Sequence, residues 1–211
     1  LLFLSIAGLF TEYVDRKIYA RLQNRVGPPW FQPFADFIKL ISKENIIPGT
    51  TEEKIMFKVL PSFALAAIVT SFLYIPIWGT KALFSFHGDI IVVLYLLTIP
   101  TITFFLAGYS SRSLFPLIGS SRTLTQYFAY EIPLFLAILS AALLADTWTI
   151  SEMTTFYNQH TWYWLFNLIG FGVSIIALLG KLEKVPFDIP EAETEIVAGS
   201  FTEYSGRLLA M

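Results

Sequence analysis

Six carboxylates fall within 21 residues of this 211-residue chain: Glu183, Asp188, Glu191, Glu193, Glu195 and Glu203, in the stretch KLEKVPFDIPEAETEIVAGSFTEYSGR. Locally only Lys181, Lys184 and Arg207 offset them. Carboxylates crowded beside an apolar phase repel one another, so some are expected to hold a proton near neutral pH. That is the chemistry of a proton or ion relay, or of a surface that receives a basic partner. On a soluble domain such a run is ordinarily a solvated face, but here it joins two apolar segments. Pro190 suits the first position of a new helix, with Asp188 near enough to cap it. Glu191 and Glu193 would then occupy the first turn, where the helix dipole favours anions, and Glu191 and Glu195 would share a face. There is no HExxH, no EF-hand spacing and no cysteine. Disulfides, Cys-ligated iron–sulfur clusters and thiolate zinc sites are therefore excluded, and no metal is expected here. His87 and His160 stand alone and read as loop residues.

A second carboxylate of interest is Glu131, two residues before Pro133 at the head of a long apolar run. An ionisable group inside a membrane costs several kcal/mol unless it is paired, meets water or is neutralised. Glu131 is therefore either a helix-end residue in the headgroup zone or an interior group able to exchange a proton. Arg112 and Arg122 lie just upstream among Ser, Gly and Thr. Near the start, acid and base stand close together at Glu12, Asp15, Arg16, Lys17, Arg21 and Arg25, and helical spacing places Lys17, Arg21 and Arg25 on one face. Arg16, Arg21 and Arg25 suit carboxylates of a docking partner; snorkelling at the membrane surface is the simpler reading of the same charges. Val26-Gly27-Pro28-Pro29 must break that helix. Beyond it, Phe31, Phe34, Ile38 and Ile41 form an apolar stripe, with Asp36, Lys39, Lys43 and Glu44 on the other side. This is a surface-lying amphipathic helix.

The elements that position these groups are helices in lipid. Hydrophobic residues make up 55% of the chain and charged residues 14%, against about 25% charged in an ordinary soluble domain. Mean hydropathy is +0.62. The net charge of −2, with no basic aromatic-laced stripe, gives no footing for nucleic acid. Spans are expected near 59–78, 90–109, 128–144 and 163–179, bracketed by a truncated first helix and a truncated sixth. The expected fold is all-α, a polytopic transmembrane bundle forming a single membrane domain over 1–211, with the amphipathic helix in its first loop. Loops 11–58, 109–127 and 180–207 then lie on one side and hold eight, two and three Lys/Arg, thirteen of the chain's 14. The positive-inside rule puts that side in the cytoplasm of a multi-pass protein of the cell membrane. Trp30, Trp78, Trp148, Trp162 and Trp164 sit near expected helix ends, as interfacial aromatics do.

These residues carry a resemblance. KVPFDIPEAETEIVAG followed by TEYSG is similar to the loop signature of the H-subunit family of complex I, which includes relatives in membrane-bound [NiFe] hydrogenases. DRKIYARLQNRVGPP followed by QPFADFIKLISKE resembles the family's first loop, and YSSRS…LIGSSRTLTQYFAYEIP its third-to-fourth loop. Quinone-linked members usually read like GPNxxGPxGxLQPxAD; here Leu22-Gln23 stand in place of the first Gly-Pro, and one residue fewer separates Pro28 from Gln32. The shorter GPP form, with EYSGR at 203–207, looks more like energy-converting hydrogenases and ferredoxin-linked sulfur-reducing complexes.

The resemblance implies a subunit that anchors a peripheral redox arm and passes its energy to ion translocation. It implies a proton or ion relay through Glu131, Glu183, Asp188, Glu191, Glu193, Glu195 and Glu203. It implies charge partners or docking groups at Arg16, Arg21, Arg25, Asp36, Arg112 and Arg122, and no catalytic residue. It implies that this chain binds no cofactor, and that partner subunits carry iron–sulfur clusters and, in the hydrogenase-like branch, a nickel–iron site. A quinone site belongs to the other branch. The implied partners are cluster-bearing and catalytic peripheral subunits, antiporter-like membrane subunits and the bilayer. A stand-alone ion transporter is the competing class; such transporters generally show two related halves, and none is evident.

Overall fold

The computed structural model describes residues 2–47, 51–77, 82–111 and 113–211, with 51–54, 193 and 194 described by backbone alone. The described residues are helical, without strands. They form two compact units, Leu1–Ile47 with Tyr204–Met211, and Pro48–Glu203.

In the first unit, α1 (Leu2–Leu22) ends before the Gly-Pro-Pro sequence. Asn24 takes a left-handed conformation (φ 57°), Asn24 N–H donates to the Arg21 carbonyl and Arg25 N–H to the Ala20 carbonyl. This closing motif satisfies carbonyls that a helix end leaves open. Arg25 therefore lies outside the helix and does not extend the Lys17–Arg21 face. α2 (Gln32–Ser42) is the expected amphipathic helix, with Pro33 in its first turn. It packs on α1 and on α9 (Gly206–Ala210). Arg207 N–H donates to Asn45 Oδ1 at 2.8 Å, and Ile46 N–H to Ser205 Oγ at 2.9 Å.

The second unit layers α3 (Thr51–Phe72) on α4 (Asp89–Ser110), α4 on α5 (Leu114–Ala145), and α5 on α7 (Leu168–Lys181). α3, α4 and α5 are long and apolar enough to cross a membrane; α7 is a shorter apolar helix. α6 (Ile150–Gln159) and a 3₁₀ turn (Thr161–Leu165) connect α5 to α7. α8 (Glu193–Ile196) and a 3₁₀ turn (Gly199–Phe201) follow.

Several boundaries differ from expectation. α3 starts and stops earlier than 59–78. α7 starts after a 3₁₀ turn rather than at 163. The expected loop over 109–127 is mostly helix: α5 runs for 32 residues, about 48 Å, against about 30 Å of hydrocarbon. Its hydroxyl-rich beginning is helical, with the side chains bonding back along it. Ser120 Oγ donates to the Leu117 carbonyl, Thr123 Oγ1 to Gly119 and Thr125 Oγ1 to Ser121.

Asp89 and Asp146 both read from sequence as solvated interface groups. Asp146 is exposed, but Asp89 is 0% exposed. Its Oδ1 accepts Ile150 N–H at 2.8 Å and its Oδ2 accepts the Ser85 hydroxyl at 3.3 Å. A carboxylate at the start of α4 thus satisfies the first N–H of α6 and shields itself in doing so.

Candidate functional site

The acidic segment lies along one face of α5. Gly119, Arg122, Gln126 and Tyr130 recur at three- and four-residue intervals and so share a side of the helix. They hold the segment in reverse order. At the far end, a Cβ on Gly119 would sit 2.7 Å from both Gly199 Cα and Ser200 N, so only a bare backbone fits there. Gly199 is itself left-handed (φ 49°), and a Cβ on it would overlap the Pro190 carbonyl. Ser200, nearly fully buried, meets Gly108 of α4, and the Phe201 ring lies edge-on to Phe104 at 4.8 Å.

Three residues further along α5, Arg122 Nη1 lies 2.7 Å from Glu195 Oε2 and 3.5 Å from the Ile189 carbonyl oxygen. Gln126 Nε2 donates to the Phe187 carbonyl at 2.7 Å and to the Gly180 carbonyl at 2.8 Å. Tyr130 packs against Gly180, where the missing side chain lets α7 come close. The Tyr130 hydroxyl shares a 2.9 Å hydrogen bond with Thr101 of α4.

The row ends at an ion pair. Lys181 Nζ lies 3.0 Å from Glu131 Oε2 and 3.3 Å from Oε1, and 5.6 Å from the centre of the Tyr130 ring. The two side chains are 12% and 7% exposed. Glu131 is therefore an interior, paired group rather than a headgroup-zone residue. Pro133, two residues on, has no N–H to give the Ala129 carbonyl, so α5 is loosened beside the pair.

Glu183 follows α7 in a left-handed conformation (φ 51°), with its N–H on the Gly180 carbonyl and that of Lys184 on Leu179. Burial pushes the Glu183 carboxyl up to about 7, and the charge of Glu191 pushes in the same direction. Of the other carboxylates, Asp188, Glu191 and Glu195 are exposed and Glu203 is partly buried. The helix expected from Pro190 begins instead at Glu193, and 188–191 form a turn, with Glu191 and Ala192 N–H on the Asp188 carbonyl. A cis Val185–Pro186 bond precedes that turn, and Pro190 is buried under the 199–200 backbone. Glu193 is described by backbone alone, and Arg112, Trp78 and Lys81 lie outside the described residues.

In the first unit Arg16 bridges Glu12 Oε1 at 2.8 Å and Asp36 Oδ2 at 2.9 Å, and Gln32 Nε2 donates to Asp36 Oδ1 at 3.1 Å. The amphipathic helix is thus tied to α1 by charge. Arg21 and Arg25 are exposed. Two positions that matter here, Lys181 and Gln126, do not stand out as site residues in the sequence. Their signal is nonetheless present: Lys181 is a cation at the end of an apolar helix, and Gln126 lies one turn before Tyr130-Glu131.

Between α5 and α7 lies a cavity of about 190 Å³, lined chiefly by Ala129, Tyr130, Pro133, Val173 and Ala177, with Gln126 at one end. At that end the Gln126 amide N–H groups are taken by chain carbonyls.

The whole chain, residues 1–211, matches the family described as NADH dehydrogenase. It is 33% identical over 217 residues to the H subunit of NADH-quinone oxidoreductase from Carboxydothermus hydrogenoformans, covering 100% of this chain and 61% of that protein. It is 35% identical over 210 residues to the corresponding H subunit from Dehalococcoides mccartyi, covering 97% and 59%. The chain thus spans about three fifths of the length of these curated relatives. A chain in the structure of the membrane-bound sulfane sulfur reductase, an archaeal respiratory membrane complex, superposes with a TM-score of 0.88 at 29% identity. That superposition covers 99% of this chain and 68% of the other. With the whole length matched and the helices superposing, the chain belongs to the NADH dehydrogenase family, as a homologue of the H subunit of NADH-quinone oxidoreductases.

Proposed function

We propose that this chain is the membrane-anchor and energy-coupling subunit of a complex I-like, redox-driven ion pump. It docks a peripheral electron-transfer arm and relays that arm's change of charge to the movement of H⁺ or Na⁺. The observation that carries this reading is the ladder on α5: the acidic segment is held along one helix face through its backbone and Glu195, and the ladder ends at the buried Lys181–Glu131 pair. A charge appearing near Glu191 or Glu195 changes the field at Glu183, which sits near its titration point. Protonation of Glu183 in turn changes the field at Lys181, two residues away, and so the balance of its pair with Glu131. The groups act by holding and passing protons and charge; without cysteine the chain has no thiolate to ligate a cluster. Arg16, Asp36, Arg21 and Arg25 belong to the docking platform.

Within this reading we place the chain in the hydrogenase-like, ferredoxin-linked branch. The short Gly27-Pro28-Pro29 loop and the likeness to the sulfane sulfur reductase chain support that placement. The curated relatives' names support the quinone-linked alternative. Purification of the intact complex from its native membrane separates the two. Ferredoxin-dependent activity with cluster-bearing partners, with or without a nickel–iron subunit, is expected. Inhibition by a quinone-site inhibitor contradicts the branch. Ion movement by this chain alone in liposomes contradicts the coupling reading.

A further inference from the structure

We propose that Gln126 is a positioning residue: by bonding both ends of the 180–187 turn to α5, it holds Lys181 where it meets Glu131. The geometry is specific. The two carbonyls that accept from Gln126 Nε2, Gly180 and Phe187, stand on either side of Lys181, the last residue of α7, and of the turn after it that contains Glu183. Both acceptors are carbonyls, which fixes the amide's orientation, because only its nitrogen can donate to them. The Gly180 carbonyl, at the end of α7, also accepts the Glu183 N–H, so Gln126 adds a second donor there from a neighbouring helix.

The other amide atom supports a role beyond packing. Gln126 Oε1 is buried and has no hydrogen-bond partner among the described residues. Burying a polar atom unpaired is unfavourable, and an apolar side chain of the same shape would avoid it. The residue is accounted for by what its nitrogen does. The neighbouring contacts do not replace it: Arg122 reaches the Ile189 carbonyl only at 3.5 Å, and Gly180 offers Tyr130 no side chain.

The inference rests on the coupling reading above for its activity readout, but not for its spectroscopic one. The test is Gln126→Met in the intact complex, a change that keeps length and shape and removes both hydrogen bonds. In sealed vesicles, ions moved per electron are expected to fall at least about fivefold, with a flattened pH profile. Infrared difference spectra supply the independent readout. The Glu131 carboxylate band, assigned by its loss in Glu131→Gln, is expected to move in Gln126→Met to where it lies in Lys181→Met. An unmoved Glu131 band overturns the positioning role. If Glu131→Gln leaves coupling unchanged, the coupling reading fails and the band alone decides for Gln126. Should Gln126→Met fail to assemble, Gln126→Asn, whose amide is drawn back by one methylene, is expected to assemble and show the same shifted band. Failure of both to assemble overturns the inference in favour of a purely structural role.

Discussion

Lys181 and Glu131 lie 50 residues apart in the chain and meet at 3.0 Å, with little of either side chain open to solvent. Attraction between two such charges must offset the cost of removing both from water, so the pair is informative about specificity more than about stability. Removing one partner is a different matter, because the other is left alone in apolar surroundings. Lys181→Met alone is expected to destabilise by about 3–5 kcal/mol, and Lys181→Met with Glu131→Leu by far less. Denaturation of the solubilised protein measures both, and additive losses contradict the pairing.

Glu183 gives a pH dependence with a defined sign. Burial, with the charge of Glu191, pushes its carboxyl above the ordinary range, up to about 7 in the folded chain. The folded state therefore binds its proton more tightly than the unfolded chain does. The stabilisation this confers is fully present below the ordinary carboxylate pKa of about 4.3 and is lost as pH rises through about 7. Glu183→Gln, which resembles the protonated form, is expected to flatten stability across that window. A pH series of thermal unfolding for the two proteins checks it.

The Arg122–Glu195 bridge should matter little for stability. Glu195 is 61% exposed, and exposed pairs contribute about 0–1 kcal/mol. Arg122→Ala is expected to leave unfolding within that range while speeding hydrogen exchange over 189–195, where the tether is lost.

The backbone contact between Gly119 and Gly199 should matter more. Gly119→Ala drives a methyl into the Gly199–Ser200 backbone, which cannot yield as a side chain can. Overpacking of this kind costs about 1–3 kcal/mol. Limited proteolysis is expected to cut the 186–200 segment first in this variant, and wild-type resistance there argues against the docking described.

Much of the fold is legible in the sequence, for reasons that differ by element. α2 follows from the period of Phe34, Ile38 and Ile41, and α4 from a long, predominantly apolar run between Gly88 and Ser111. Both signals are local. The start of α5 is hidden because Ser120, Ser121, Thr123 and Thr125 are loop-formers by composition. In the structure their hydroxyls bond back to carbonyls of the same helix, Ser120 and Thr123 in buried positions and Ser121 and Thr125 in exposed ones. Asp89 reads as solvated because nothing nearby in sequence reveals that α6 begins against it, 61 residues later. The carboxylates of the proposed relay are visible as residue types, but the order in which their segment lies along α5 is not. That order is set by Gly119, Arg122, Gln126 and Gly180, and the sequence does not show which part of the segment each of them meets.

Charge held in the acidic segment is proposed to reach ion movement through Lys181 and Glu131. The most direct test is the number of ions translocated per electron by the intact complex in sealed vesicles. Wild type, Glu131→Gln, and the exchange Glu131→Lys with Lys181→Glu should be compared at matched electron-transfer rates. Glu131→Gln is predicted to lose most of the coupling, and the exchange to recover part of it. A wild-type ratio in Glu131→Gln contradicts a relay through this pair.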